Sequence, residues 1–385
     1  MNHPVEGSTT GSTTVAARVP GQASAGLRQA GLAAGQVVML LAMGLFLLAA
    51  LLVATGHPVI PALTALFRGA FGSWYAITSA TLVRMIPLGF AGLAVALAFR
   101  AGVLNVGAEG QLLVGAAAAT ALALPLQNTS PLLAIPLMIV GGAAAGGVWA
   151  MIAGVLRLRF GVLEVISTIM LNFIALNLTG WLVRGPLQEP QRVNPQSASL
   201  PASLQLPVLL DGTRLHAGVM MLPVVAVALW WWLFHTASGF RVRAVGANVR
   251  AAESAGEIRV ARTLLLVFLL SGLLAGLGGA VEYLGITYAL YENFSPGYGY
   301  TAIAVALLAR LHPVGVLATA LLFGALEAGA NAMQRDAGVP SVVVSVVEAV
   351  LILLVVAVDR WRARTSDSAG AMSGTTSGAT PGAAA

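Results

Sequence analysis

Three clusters of polar residues stand out in a chain that is otherwise close to continuous apolar sequence. The first lies in "FRAGVLNVGAEGQLLVGA", Phe99 to Ala116, where Asn105, Glu109 and Gln111 precede a run of Leu, Val, Gly and Ala able to enter a bilayer. Two amides and a carboxyl group supply donors and acceptors that a sugar or a nucleobase could use. Glu109 also stands near a helix start, where the dipole favours an acid. A first-turn acid with Asn105 as cap is therefore the competing reading. The second cluster is "EVISTIMLNFIALN", Glu164 to Asn177. Glu164 and Thr168 are four residues apart and Asn172 lies one turn further, which sets all three on one helix face. Such a stripe points inward, toward partner helices or a pore; Ser and Thr alone would be ordinary helix glue, and the acid and the amide favour a pore. The third is "YENFSPGYGYTAIAVALLA" from Tyr291, in which Tyr298 and Tyr300 offer rings on which a base could stack.

These clusters need membrane helices to position them. About ten hydrophobic segments span 37–55, 77–98, 107–125, 132–156, 162–183, 216–236, 263–285, 299–311, 313–334 and 341–358. The eighth is too short to cross ~30 Å of hydrocarbon and reads as a half-helix or re-entrant segment. The fold class is thus an all-α polytopic integral membrane protein. Residues 1–36 and 361–385 are rich in Gly, Ser, Thr and Ala and read as disordered tails around a membrane domain over 37–360. With each segment counted as a crossing, fourteen arginines fall on one side and five on the other. The positive-inside rule then puts both termini in the cytoplasm. In that topology the first and third clusters enter from opposite sides with one plan: polar residues, glycines, then small apolar residues. That pattern suggests an inverted repeat of broken helices whose N-termini share a midplane site. Arg84 falls inside a segment, near its outer end, where snorkelling accounts for it. Gly142 with Gly146, Gly272 with Gly276, and Gly324 with Ala328 have the spacing of close helix packing. The longest cytoplasmic loop, Gly239 to Arg262, reads as a helical elbow: Asn248 caps a short helix through Glu253, and Gly256 ends it.

Composition removes whole classes of function. The chain of 385 residues is 58% hydrophobic and 9% charged, far below the ~25% charge of a soluble domain. Its formal net charge of +6 comes entirely from arginine. Without lysine there is no standard phosphate-binding P-loop and no Schiff-base chemistry. Without cysteine there are no disulfides or thiolate sites. The arginines are dispersed and lack interleaved aromatics, so nucleic acid is not the expected partner. An intramembrane hydrolase using Ser167 or Ser271 would need a histidine nearby. His3, His57, His216, His235 and His312 all fall in tails, loops or segment ends. An ion-coupled secondary transporter for a small polar solute remains a competitor, because it too would show broken helices and an intramembrane acid.

Five stretches together carry a family resemblance: "RAGVLNVGAEGQ", "EVISTIMLNFIA", "RAVGANVRAAESAGE", "SGLLAGLGGAVEYLG" and "FSPGYGYTAIAVALLARLHPVGV". In this order they resemble the permease subunits of ABC importers for simple sugars and nucleosides, over roughly residues 37 to 360. The "NVGAEGQ" form is similar to nucleoside-type permeases that work with a binding lipoprotein. The resemblance implies a bacterial cytoplasmic-membrane transport subunit, not an enzyme. No cofactor is expected on this chain; ATP and Mg belong to a partner ATPase. It also implies a second, homologous permease forming a heterodimer and an extracytoplasmic substrate-binding lipoprotein. Residue by residue, Asn105, Gly107, Glu109, Gly110 and Gln111 match the family's signature segment, and Glu164, Ser167, Thr168 and Asn172 match its polar membrane helix. Gly246, Asn248, Ala251, Ala252 and Gly256 match the ATPase-coupling loop, with Glu253 inside it. Val249 stands where relatives often have proline. Residue chemistry leaves sugar and nucleoside open; the resemblance favours the nucleoside.

Overall fold

The computed structural model describes residues 39, 42–254, 256, 258–340, 342–346 and 349–350. Both expected tails and most of the tenth segment, 341–358, lie outside the described residues. One compact unit runs from Gly44 onward. Among the described residues there is no strand, only three isolated bridges between loops. Seven helices are long and apolar enough to cross a membrane. We number the helices in chain order: α1 (Ala42–Ala54), α2 (Val59–Phe71), α3 (Trp74–Arg100), α4 (Ala108–Leu126), α5 (Pro131–Phe160), α6 (Glu164–Arg184) and α7 (Gly218–His235). Then follow α8 (Ala237–Ala247), α9 (Val249–Ser254), α10 (Val260–Thr287), α11 (Tyr298–Leu308) and α12 (Pro313–Ala337). The full-length spans are α3 to α7, α10 and α12; α1, α2 and α11 are shorter apolar helices.

Against the expectation of about ten segments, the described residues hold seven helices long and apolar enough to span and three shorter apolar ones. One of these, α2, falls between two expected segments. Its pattern is amphipathic: Ala62, Ala65 and Ala70 are buried while Ile60 and Phe67 are exposed. Its buried face lies on α12. A Cβ on Gly69 would run into Ala332, and one on Gly329 would approach the Leu66 carbonyl.

The centre is built from α3, α4, α5 and α10. Lipid tails are as apolar as leucine, so burial gives these helices little reason to associate; close packing and hydrogen bonds must do it. The glycines serve that purpose. A Cβ on Gly146 would lie 2.6 Å from the Cα of Gly276, and one on Gly142 would lie 2.7 Å from the Gly115 carbonyl. Added methylenes in a well-packed core cost about 1–3 kcal/mol even where neighbours can shift. Here the obstacle is backbone, which cannot rotate away. The expected packing faces are therefore present, joined by Gly115 and Gly279 of the same contact. Gly324 meets the backbone of α3 at Met85.

Two π turns interrupt the long spans, at Ile77–Thr81 in α3 and Tyr283–Thr287 at the end of α10. Inserted residues of this kind re-aim side chains. In the first, Ser79 accepts from the Arg214 N–H at 3.0 Å and Thr81 donates to the Ala70 carbonyl at 2.8 Å. The 185–217 loop is thereby tied to the same end of the bundle as α2. At the opposite end lie Arg100, Arg157, Arg159 and the 239–262 loop.

Candidate functional site

The polar cluster around Asn105 forms because α4 starts inside the bundle rather than at its edge. α3 ends at Arg100, and the chain turns back at Gly102, whose φ of +73° is accessible to glycine. Asn105 then donates to the Ser271 hydroxyl of α10 at 2.9 Å, while Ser271 donates to the Ala94 carbonyl of α3 at 2.8 Å. Ala94 is six residues before Arg100, so this contact lies about 9 Å into the bundle at 1.5 Å per residue. Asn105 and Gln111 exchange amide hydrogen bonds at 3.3 and 3.1 Å, and the Asn105 Oδ1 also accepts from the Gly107 N–H at 2.9 Å. Asn105 is fully buried. The residue at the N-cap position is Gly107, which has no side chain to cap with; Asn105 acts one step earlier by shaping the turn.

Glu109 is 6% exposed, and its carboxyl group does not face open space. Its Oε2 accepts from the Gly299 N–H at 2.7 Å, in the first turn of α11, and it is hydrogen-bonded by the Ser295 side chain. The Ser295 hydroxyl in turn accepts from the N–H groups of Gly297 and Tyr298 at 3.2 and 3.1 Å. Four backbone N–H groups at a helix start have no partner within the helix; here a carboxyl group and a hydroxyl satisfy three of those at α11. The backbones touch directly, since a Cβ on Gly299 would strike the backbone of Glu109. Two helix N-termini therefore abut across Glu109, and from that junction the helices diverge. α4 runs toward the end where Thr120 meets Tyr283. α11 runs the other way, with Val305 beside Gly92 of α3.

Asn172 of α6 closes the cluster. It accepts from the Gly110 N–H at 2.9 Å and donates to the Val106 carbonyl at 2.9 Å and the Tyr300 hydroxyl at 3.4 Å. Thr168 lies beside Gly107 and bonds the Glu164 carbonyl of its own helix at 2.7 Å. Tyr298 is buried, whereas Tyr300 keeps 43% of its surface exposed. The structure thus brings Asn105, Glu109, Gln111, Thr168, Asn172, Tyr298 and Tyr300 to one junction. Glu164 is apart from it: its carboxylate pairs with Arg157 at 3.0 Å across the turn between α5 and α6.

The elbow keeps the Asn248 cap and the Gly256 turn read from its sequence and adds a preceding helix, α8. Thr236 caps α8 by accepting from the Gly239 N–H at 3.1 Å. The Asn248 Oδ1 accepts from the Ala251 N–H at 3.1 Å at the start of α9, and Gly256 has φ of +72° just beyond its end. Ala252 is buried, while Asn248, Arg250, Ala251 and Glu253 face outward. The elbow is seated on the bundle at two points. A Cβ on Gly246 would strike the Arg100 carbonyl. The Phe234 ring lies under the guanidinium groups of Arg100 and Arg243, at 5.3 and 5.0 Å, and stacks on His312.

Several polar contacts were not anticipated. Arg84 does not snorkel; it pairs with Glu327 of α12 at 3.2 Å. An acid inside an apolar helix is costly without a partner, and that is the signal Glu327 carried between Gly324 and Ala328. Ser295 and Ser271 could be found only by their distant partners. Ser271 faces Asn105 and the Ala94 carbonyl rather than a histidine. His216 is fully buried in the loop before α7, where its Nδ1 accepts from the Gly218 N–H at 3.2 Å. Burial, with the Arg214 charge adding to it, lowers its pKa to about 4.

The sequence family described as "Branched-chain amino acid transport system / permease component" matches residues 77–356, and the chain belongs to it. It is a multi-pass membrane permease of the ABC importer type. Among its relatives, the guanosine ABC transporter permease protein NupP of Bacillus subtilis (strain 168) is 39% identical over 84% of this chain and 90% of its own length. The glucose ABC transporter permease protein TsgB13 of Haloferax volcanii is 37% identical over 79% and 82%. A second guanosine permease of the same Bacillus strain, NupQ, is 30% identical over 64% and 79%. No solved structure matches the chain.

Proposed function

We propose that this chain moves nucleosides across the membrane by alternating access, as one permease of a heterodimer driven by a separate ATPase. Similarity to NupP over most of both chains supports the nucleoside; the resemblance to a glucose permease keeps simple sugars as the second substrate class. Two related permeases bearing the guanosine name in one organism support pairing with a second, homologous permease. An extracytoplasmic binding lipoprotein delivers the cargo to the 185–217 face. The arginine-rich end, with both termini, faces the cytoplasm, in keeping with the positive-inside rule.

The observation that carries this reading is the junction of α4 and α11. Two helices that start inside the bundle and diverge form the hinge of an inverted pair, with α11 as a half-helix. The exposed side of Tyr300 lines the wall beside it, with buried Asn172 bonded to its hydroxyl, whereas Glu109 holds the two helix ends together. ATP binding and hydrolysis in the partner move α9. That displacement reaches α3 and α12 through Gly246 against Arg100 and through Phe234 against His312. Substrate contacts are few, because a transporter must also release its cargo.

The test is uptake of guanosine into proteoliposomes holding both permeases and the ATPase, with binding lipoprotein supplied on the delivery side. ATP-dependent uptake abolished by vanadate is the expected result. Uptake driven by an ion gradient without the ATPase would replace this mechanism with a secondary transporter. Uptake of glucose or ribose but not guanosine would reassign the cargo.

A further inference from the structure

A cavity of about 460 Å³ opens beside the elbow, between the start of α8 and the first turn of α10. Its size falls in the roughly 300–1,000 Å³ range of small-molecule sites. Its polar lining is dominated by three guanidinium groups, those of Arg241, Arg259 and Arg262, completed by Thr263; Phe240 and Ile258 supply apolar walls. Among the described residues, no carboxyl group lines it. The three ion pairs among the described residues all lie elsewhere, at Arg84, Arg157 and Arg184. Three like charges around one hollow repel each other, and an anion placed among them removes that repulsion. Guanidinium groups bind phosphate oxygens through paired, planar hydrogen bonds.

The position of the cavity selects the kind of anion. The membrane span of α10 begins at Val260, so Arg259 and Arg262 stand where the span meets the headgroup layer. Leu266, one turn further along the face of Arg262, is 36% exposed, and Phe240 is 59% exposed. A ligand seated here would have its charged group among the arginines and apolar surface continuing into the bilayer. The exposed residues of α9 are not among those lining the cavity.

We infer that this cavity binds the phosphate headgroup of an anionic phospholipid, with its acyl chains along Leu266 and Phe240. Membrane insertion alone is required, so the inference stands apart from the transport mechanism. The full-length chain is reconstituted in nanodiscs of equal phosphatidylglycerol and phosphatidylcholine, and the lipids it retains on gentle release are counted by native mass spectrometry. The wild-type chain should retain phosphatidylglycerol in preference to phosphatidylcholine. That preference should fall roughly fivefold for each guanidinium removed by Arg241→Gln, Arg259→Gln and Arg262→Gln. The three Arg→Lys substitutions should keep most of it, and Arg159→Gln, at the same end but outside the cavity, should leave it unchanged. Equal retention of both lipids by the wild-type chain would overturn the inference. So would an equal loss with Arg159→Gln, which would mark a general charge effect. Saturation of the cavity by millimolar inorganic phosphate, with no phosphatidylglycerol preference, would make it a site for a free anion. If the glutamine variants lose the ATPase on co-purification while retaining phosphatidylglycerol, the arginines serve the partner and the lipid site is wrong.

Discussion

The helix junction and the elbow are both polar islands on an apolar chain, yet they handle their polar groups in opposite ways. At the junction, Asn105, Glu109, Gln111 and Asn172 are all buried and hydrogen-bonded to one another or to backbone of another element. At the elbow, Asn248 makes one capping bond and its neighbours face outward. A buried network holds a shape, because any lost partner leaves an orphaned group in a low-dielectric interior. An exposed capped helix keeps its shape at little cost and leaves its surface free to bind. At the junction the polar residues are thus bonded within the fold, and at the elbow they are left facing outward.

The strongest way to break the contrast is Glu109→Ala. It orphans the Gly299 N–H and the Ser295 hydroxyl, and each unsatisfied buried group costs about 1–3 kcal/mol. A loss of several kcal/mol is expected, read as a large fall in unfolding temperature and in membrane protein level. His216 gives the next effect. Its folded pKa of about 4 is below the ordinary 6.5, so the unfolded chain binds more protons between those values. Its contribution to stability is complete above pH 6.5 and is lost as pH falls toward 4, by on the order of 3 kcal/mol. Denaturation across that window should show the slope, and His216→Gln should flatten it.

Elbow variants should separate stability from transport. Asn248→Ala removes a helix cap worth ~1 kcal/mol, and Gly256→Ala meets a left-handed penalty of about 1–2 kcal/mol. Both should leave the protein folded in the membrane while ATP-driven uptake is lost; normal uptake would make the elbow a mere connector. The smallest effect belongs to Glu164→Gln. Its ion pair with Arg157 is partly exposed, and such pairs contribute less than ~1 kcal/mol. A larger loss in thermal denaturation would place Glu164 with the junction instead.

Local features were legible in the sequence. The Asn248 cap, the Gly256 turn and the Gly142–Gly146 and Gly272–Gly276 faces each depend on residues within one or two turns. The polar stripe on α6 was legible as a stripe, but spacing could not say that Asn172 reaches Gly110 while Glu164 turns to Arg157. Long-range partners decide such matters, and Ser295 beneath Glu109 or Glu327 beside Arg84 leave no periodic trace. α2 gives no span-like signal because its face of Ala62, Ala65 and Gly69 is small rather than strongly apolar, and its length is below a span. The likeness between the stretches at Asn105 and Tyr298 was visible only as a shared plan; their direct contact, backbone against backbone at Gly299, is a tertiary fact.

If Glu109 braces the two helix starts rather than gripping cargo, altering its carboxyl group should cost stability and not transport. Glu109→Gln tests it when unfolding temperature and uptake per folded molecule are measured on the same reconstituted sample. A lower unfolding temperature with uptake per folded molecule unchanged is the expected result. An unchanged unfolding temperature with uptake lost would contradict it and make Glu109 a contact for the transported solute.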